Sequence, residues 1–304
     1  MVYEVRRLRL LWELASHGTI AATAEVCRLT PSAVSQQLSL LEREVGTPLL
    51  VRDGRRLVLT EAAWVLVRRT ERVLAELEEA RAEVAALRST VRGTVRLYGF
   101  PSAAVALAAP AIADCRSRHP DLRVLLDEAE PERSLAALRG HSCDVALVYS
   151  YDLLPRLPER GVETRELLTE PLLAALPPDL GGLTPGPDGA VALDQLRSHP
   201  WIAPRGDSAL RSVLVRACEG AGFEPRLDYT SDDYTVLMSL VGAGLGVSLL
   251  PRLVAEPLAA DVRLCEIAGF RPSRTLSVAI RRGSGGDPAI GALTSALRRT
   301  AERV

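Results

Sequence analysis

Ser32, Ser35 and Gln36 recur at helical spacing on one face of a short segment, and no charged side chain joins them until Arg43. An amide such as Gln36 can pair bidentately with adenine in a major groove, and serines are short enough to approach base edges without clashing. A second set, Arg52, Arg55 and Arg56, clusters around Asp53-Gly54. Guanidinium groups there can meet phosphates or reach a minor groove. An amphipathic surface helix and a solvated turn carry the same residue types, so the chemistry depends on what positions them.

The positioning elements are well marked. Thr30 suits an N-cap, Pro31 the first helical position, and Gly46 a C-terminal stop; Val34, Leu38, Leu41 and Val45 repeat on the opposite face. Upstream, Leu8, Leu11 and Ala15 predict a first helix ended by Gly18, and Thr19 caps a second through Cys27, three residues short of Thr30. That is helix-turn-helix spacing. Downstream, apolar runs on either side of Asp53-Gly54 predict a hairpin, which beside a recognition helix forms a wing.

Ala24, Thr30-Pro-Ser-Ala-Val-Ser-Gln-Gln-Leu38, Leu41-Glu42, Gly46, Arg52, Gly54-Arg55 and Leu59-Thr60-Glu-Ala62 together resemble the N-terminal domain of LysR-type transcriptional regulators. The resemblance implies that Ser32, Ser35 and Gln36 face bases and that Thr30 and Arg52 face phosphates, with Pro31, Arg55 and Arg56 in the same DNA-binding surface. Thr23, Cys27, Leu50 and Ala63 depart from the usual alanine, leucine, phenylalanine and glycine, all at packing positions.

With 304 residues, 47% hydrophobic and 25% charged, the chain is long enough for two or three ordinary cores. Net charge is −1, but residues 1–96 hold 15 arginines against 12 acids and the remainder 22 against 26. A basic head on an acidic body fits DNA at one end only. All 37 basic residues are arginine and asparagine is absent, which points to a GC-rich genome. No signal-peptide pattern and no run of membrane-spanning length appears, so a cytoplasmic protein with no membrane partner is expected. Cys27, Cys115, Cys143, Cys218 and Cys265 lack metal spacing; reduced, mostly buried thiols are expected, a Cys115–Cys143 switch being the alternative. His17, His119, His141 and His199 fall at element ends and are read as surface residues; no metal and no cofactor is expected.

From Thr60 a heptad seam of Leu66, Thr70, Val73, Leu77, Ala80, Val84, Leu87 and Val91 predicts one long helix. About thirty residues would reach roughly 45 Å, longer than a small domain needs, which favours a linker helix that dimerises two chains over one packed on its own domain. Beyond it strands and helices alternate, as in an α/β sandwich, with strands expected at 163–168 and 170–176 among others. Pro177-Pro178 through Gly189 is read as a loop.

The family resemblance continues through Arg96-Leu-Tyr-Gly-Phe-Pro-Ser102, His119-Pro120, Leu138-Arg-Gly140, Asp144-Val-Ala-Leu-Val148, Ser208-Ala-Leu-Arg211 and Val241-Gly-Ala-Gly-Leu-Gly-Val-Ser-Leu-Leu-Pro251. It implies an α/β chain with an N-terminal winged helix-turn-helix over 1–60, a linker (dimerisation) helix over 61–92, and a two-lobed effector-binding domain over 93–304 resembling periplasmic solute-binding proteins. Lobe I would comprise 93–167 and 269–304, and lobe II 168–268. A homo-oligomer is implied, a dimer of dimers on an interrupted palindrome of double-stranded DNA, with a small effector between the lobes.

Ser102 and Ser208 begin predicted helices that would face that cleft, and free N–H groups with positive dipole ends favour a carboxylate or other small anion. Simple capping of the two helices is the alternative reading of both serines. Glu128, Glu130, Asp207 and Asp232 should border the cleft, leaving an amino acid open, and Phe100, Tyr149 and Trp201 could supply an apolar wall. An enzyme is disfavoured, because there is no Walker pattern, Gly-x-Ser-x-Gly elbow or metal spacing. A transport-type binding protein would not need residues 1–92.

Overall fold

The computed structural model describes residues 3–54, 56–87, 90–156, 160–184, 186 and 189–304. Three helices, α1 (Val5–His17), α2 (Ile20–Cys27) and α3 (Pro31–Val45), precede the hairpin of β1 (Leu50–Asp53) and β2 (Arg56–Leu59). The local signals act as read. Gly18 and Gly46 close α1 and α3 in the left-handed conformation, and the Thr19 and Thr30 hydroxyls accept the Ala22 and Ala33 amides at 3.2 Å. Leu8, Leu11, Leu14, Val34, Leu38, Leu41 and Leu49 bury together with Ala63 and Val67 of the next helix.

That helix, α4 (Glu61–Ala86), spans about 39 Å at 1.5 Å per residue. It has two working faces. The first turns of the seam belong to the winged core, with Leu66 half-buried and Thr70 buried. From Val73 onward Val73, Leu77, Ala80, Val84 and Leu87 are exposed, while the side carrying Glu71 and Glu78 turns to the protein's own C-terminal half. Arg281 is the anchor there: its Nε donates to Glu78 at 2.9 Å, and its other nitrogens reach the Cys143 carbonyl at 2.5 Å and Asp144 at 3.2 Å.

The C-terminal half is built on one path of strands, β10-β6-β11-β5-β3-β4, with β9 also paired to β6. Its first lobe contains β3 (Gly93–Gly99), β4 (Leu122–Glu128), β5 (Val145–Tyr151), β11 (Ser273–Arg281) and the start of β6 (Val162–Leu176). Helices α5 (Pro101–Ala103) and α6 (Ala109–Arg118), joined by a π turn over Ala104–Ala108, cover this sheet with α11 (Pro288–Ala301); α7 (Pro131–Arg139) lies on its other face. The second lobe contains the end of β6 with β9 (Ser248–Pro251) and β10 (Arg263–Cys265), the parallel pair β7 (Pro200–Ala203) and β8 (Arg226–Thr230), and α8 (Ala209–Gly220), α9 (Tyr234–Gly242) and α10 (Arg252–Ala255).

Two expected strands, 163–168 and 170–176, are one. The alternation breaks around Leu167-Leu168 because a bulge opposite Leu276/Ser277 absorbs a residue, and the strand then runs through Pro171 without turning. The change of lobe falls inside it: residues up to Pro171 pair with β11, and Leu172–Leu176 with β9 and β10. The glycine-rich run after α9 is a strand entry. A Cβ on Gly246 would stand 2.6 Å from the Pro200 carbonyl, so the backbones of two adjacent strands meet there.

The winged domain touches lobe I directly. Arg9 donates to the Arg139 carbonyl at 2.8 Å, and Arg160 donates to the Ala15 carbonyl at 3.1 Å while its guanidinium covers Trp64 at 4.9 Å. Gly161, at φ +69, lets the Trp12 indole pack on its backbone. Gly161→Ala adds a Cβ 2.6 Å from Trp12 in a left-handed conformation, and a loss of about 1–3 kcal/mol is expected. Hydrogen exchange should show α1 losing protection first; unchanged exchange and melting would mean that α1 is not held by this contact.

At the crossing of the lobes Arg274, 1% exposed, meets Glu170, 4% exposed, at 2.5 Å and 2.8 Å. Arg274→Met strands a buried carboxylate and should cost about 3–5 kcal/mol, whereas Arg274→Met with Glu170→Leu should recover much of it. Denaturant melts of the single and double variants check this, equal losses in both being the contrary result.

Candidate functional site

Two surfaces answer the sequence expectations, one on α3 and one between the lobes. On α3, Val34, Leu38 and Leu41 pack inward, and Thr30, Pro31, Ser32, Ser35, Gln36 and Ser39 are exposed together. The Thr30 and Ser32 hydroxyls lie 3.0 Å apart in a hydrogen bond that either can donate, and the hydroxyl that accepts it keeps its own proton for a third group. Gln37, next to the outer face in sequence, turns inward and accepts from Arg7 Nε at 3.1 Å. Arg7 also pairs with Glu44 and with Glu4. The outer face is therefore short, neutral and exposed.

The wing is fixed to this helix by a residue to which the sequence reading gave no role. Glu42 Oε1 accepts the amides of Leu49 and Leu50 at 2.8 and 3.0 Å, and Thr60 donates to the Pro48 carbonyl at 3.0 Å while capping α4. A signal was available: an acid in the last turn of a helix opposes the helix dipole and needs another use. Arg52 is exposed on β1. Arg55 lies outside the described residues, and Arg56 is placed only by its backbone, paired with Asp53 in the hairpin.

Between the lobes a cavity of about 620 Å³ is lined by seven of the eight expected residues: Phe100, Ser102, Glu130, Tyr149, Asp207, Ser208 and Asp232. The eighth, Trp201, is misplaced by the sequence reading. It is fully buried in the lobe II core, its ring centroid 6.2 Å from that of Phe223, because β7 is an interior strand bridged to Val247 on one side and β8 on the other. Tyr234, at the start of α9, is the aromatic that lobe II gives to the cavity. Asp233, which caps α9 by accepting the Thr235 amide at 2.8 Å, was the signal for it. Glu128, expected at the border, ends the exposed edge strand β4 and does not line the cavity.

Neither serine acts as a side-chain cap. Ser102 is the second residue of α5, 8% exposed, and its hydroxyl accepts from Arg274 Nη2 at 3.2 Å; Ser208 occupies the N-cap position of α8 without a capping bond. The floor is aromatic. Phe100 and Tyr149 meet edge to face at 4.7 Å, and the Arg274 guanidinium sits 5.3 and 5.6 Å from their ring centres. Tyr149 donates to Glu130 Oε2 at 2.8 Å. Desolvation raises the Glu130 pKa, the Tyr149 hydrogen bond partly offsetting it, and burial raises that of Tyr149, so the phenol remains a donor at neutral pH. Asp232 Oδ1 accepts the Arg205 amide at 2.9 Å and fixes the loop that enters α8.

The thiols form no second site. Cys115 and Cys143 bury on opposite faces of the lobe I sheet, and burial pushes Cys143 and Cys218 up to about 12, far from the thiolate form. His17 and His141 are not simple surface residues: they stand 3.4 Å from Glu13 and 3.6 Å from Glu78 where the winged domain and α4 meet lobe I.

Residues 5–64 match the family described as bacterial regulatory helix-turn-helix protein, lysR family, and residues 88–302 match the LysR substrate binding domain. The chain is 27% identical over 285 residues to the nitrogen assimilation regulatory protein nac of Klebsiella aerogenes, covering 93% of this chain and 89% of that protein. It is 27% identical to the RuBisCO operon transcriptional regulator of Allochromatium vinosum, covering 96% and 94%. The same fold is found in full-length OxyR from Pseudomonas aeruginosa, at a TM-score of 0.60 and 20% identity, covering 98% of this chain and 95% of that one. Full-length CbnR complexed with its target DNA aligns at a TM-score of 0.56 and 23% identity, covering 98% and 100%. The first match covers the capped helix-turn-helix and the second the two-lobed domain that holds the cavity, and the chain belongs to the LysR family of bacterial transcription regulators.

Proposed function

We propose that this regulator reads an interrupted palindrome as a homo-oligomer in the cytoplasm, and that a small molecule held between its lobes changes how paired winged domains sit on the DNA. Residues 1–60 act as the DNA-binding unit, 61–92 as the dimerising linker and 93–304 as the effector-binding domain, with no turnover of its own. The observation that carries this reading is the α3 face: six exposed, uncharged residues from Thr30 to Ser39 on a capped helix, with a wing tied to the same helix by Glu42. Ser32, Ser35 and Gln36 face bases and Thr30 and Arg52 face phosphates; Pro31 belongs to the same surface, and Arg55 and Arg56 serve phosphates or a minor groove. The solved complex of CbnR with its target DNA supports the same use of the fold.

The exposed stripe Val73, Leu77, Ala80, Val84 and Leu87 supports pairing through α4, since four large apolar side chains in heptad register on one helix otherwise remain in water. A tetramer follows the family resemblance. The effector lies against Phe100, Ser102, Glu130, Tyr149, Asp207, Ser208 and Asp232.

Gln36→Ala should weaken binding to the cognate site by about 1–3 kcal/mol and leave non-specific binding nearly unchanged, whereas Arg52→Ala should weaken both. Binding to cognate and scrambled DNA at two salt concentrations separates the roles. Equal losses on both DNAs for Gln36→Ala would remove it from base reading.

Leu77→Arg places a charge in the exposed stripe and should split the α4 pair while the effector-binding domain stays folded. Light scattering should report a mass reduced to half or less, circular dichroism an unchanged fold, and gel shifts a collapse of affinity, because one winged domain contacts half a site. An oligomer of unchanged mass would show that the stripe is not the interface.

A further inference from the structure

The cavity between the lobes carries a charge pattern opposite to the one expected from its helix starts. Glu130 and Glu132 come from lobe I, Asp207 and Asp232 from lobe II, and Arg205 is the one cationic side chain among the lining residues. Arg274, beneath the floor, adds no net charge because Glu170 holds it at 2.5 Å. A helix N-terminus contributes roughly half a positive charge, so even the starts of α5, α7, α8 and α9 together fall short of an excess of three carboxylates. Closing two acidic walls on an anion gathers like charge in a space of falling dielectric; closing them on a cation neutralises it.

A second observation concerns where a cation would sit. Tyr149 occupies only Oε2 of Glu130, and the Arg205 amide only Oδ1 of Asp232, so each carboxylate keeps an oxygen for a further donor. Phe100, Tyr149 and Tyr234 form the apolar side of the same cavity. Phe100 and Tyr149 already flank one guanidinium, that of Arg274, on the protein side.

We propose that the interlobe cavity takes a small organic cation, with a protonated amine between the acids of the two lobes and an apolar or aromatic body against Phe100, Tyr149 and Tyr234. This inference rests on the cleft reading under Proposed function and replaces the anion expected from the helix starts. A ligand whose charged groups are carboxylates alone is excluded by the same walls.

The test uses the full-length protein and matched probes: 2-phenylethylamine against 3-phenylpropionate, and 1,4-diaminobutane against succinate. Calorimetry and thermal shift at neutral pH should show saturable binding of the amines, at least tenfold tighter than of the acids and weakened by salt. Glu130→Gln and Asp232→Asn, which keep the hydrogen bonds from Tyr149 and Arg205, should each lower amine affinity about tenfold with the circular dichroism spectrum unchanged. Ala209→Trp, which fills the cavity, should abolish binding. If the acids bind and the amines do not, and Ala209→Trp abolishes that binding, the cation inference is overturned while the cleft reading stands. Amine binding indifferent to all three substitutions overturns both. Absence of binding by all four probes overturns the cation inference.

Discussion

The two lobes, the cavity between them and the wall on which a ligand would rest depend on the ion pair of Arg274 and Glu170 at the point where β6 and β11 pass between the lobes. Arg274 sits opposite Glu170 in the β6–β11 register, so the pair bridges the crossing strands themselves. Glu170 uses its second oxygen to accept the Leu253 amide at 2.7 Å at the start of α10, and Arg274 donates to Ser102 at the edge of the cavity. A buried charge pair of this kind is weak evidence for stability, since desolvation offsets most of its attraction. Its consequence is geometric: the pair bridges the crossing strands, its carboxylate holds the start of α10 in lobe II, and its guanidinium holds a hydroxyl on the lobe I wall.

A second buried arginine does the same for the linker. Arg281 joins Glu78 of α4 to Asp144 and to the carbonyls of Leu138 and Cys143 in lobe I, so α4 is held on one side by its own chain while its apolar stripe faces outward. Around this anchor the winged domain meets lobe I through Trp12, Arg9 and Arg160. Glu13 is fully buried there, its carboxylate 3.7 Å from Arg9 and 3.4 Å from His17, with no hydrogen-bond partner among the described residues. A buried acid held only by longer-range pairing is a desolvation cost that the contact's other pairings must offset. The winged domain thus rests directly on the lobe that forms half of the interlobe cavity.

What the chain determined by itself is everything with a local cause. Caps at Thr19, Thr30 and Thr60, the stops at Gly18 and Gly46, and the hairpin around Gly54 act within a few residues of themselves, so the winged domain and its reading face are legible from spacing alone. Seven cavity residues were legible because they stand near strand ends and helix starts, where the resemblance to a two-lobed α/β domain puts the cleft.

Tertiary structure decided the rest, wherever partners are distant in sequence. Nothing near Trp201 says that β7 is an interior strand, and nothing near Leu168 says that a bulge opposite Leu276 keeps β6 in one piece. The roles of Arg274 and Arg281 rest on residues 104 and 203 positions away, and no periodicity distinguishes them from the other arginines. The lining of the cavity divides in the same way. Glu130, Asp207 and Asp232 were legible as neighbours of the cleft, whereas Glu132 and Tyr234 join them only because the folded chain sets the starts of α7 and α9 against one space.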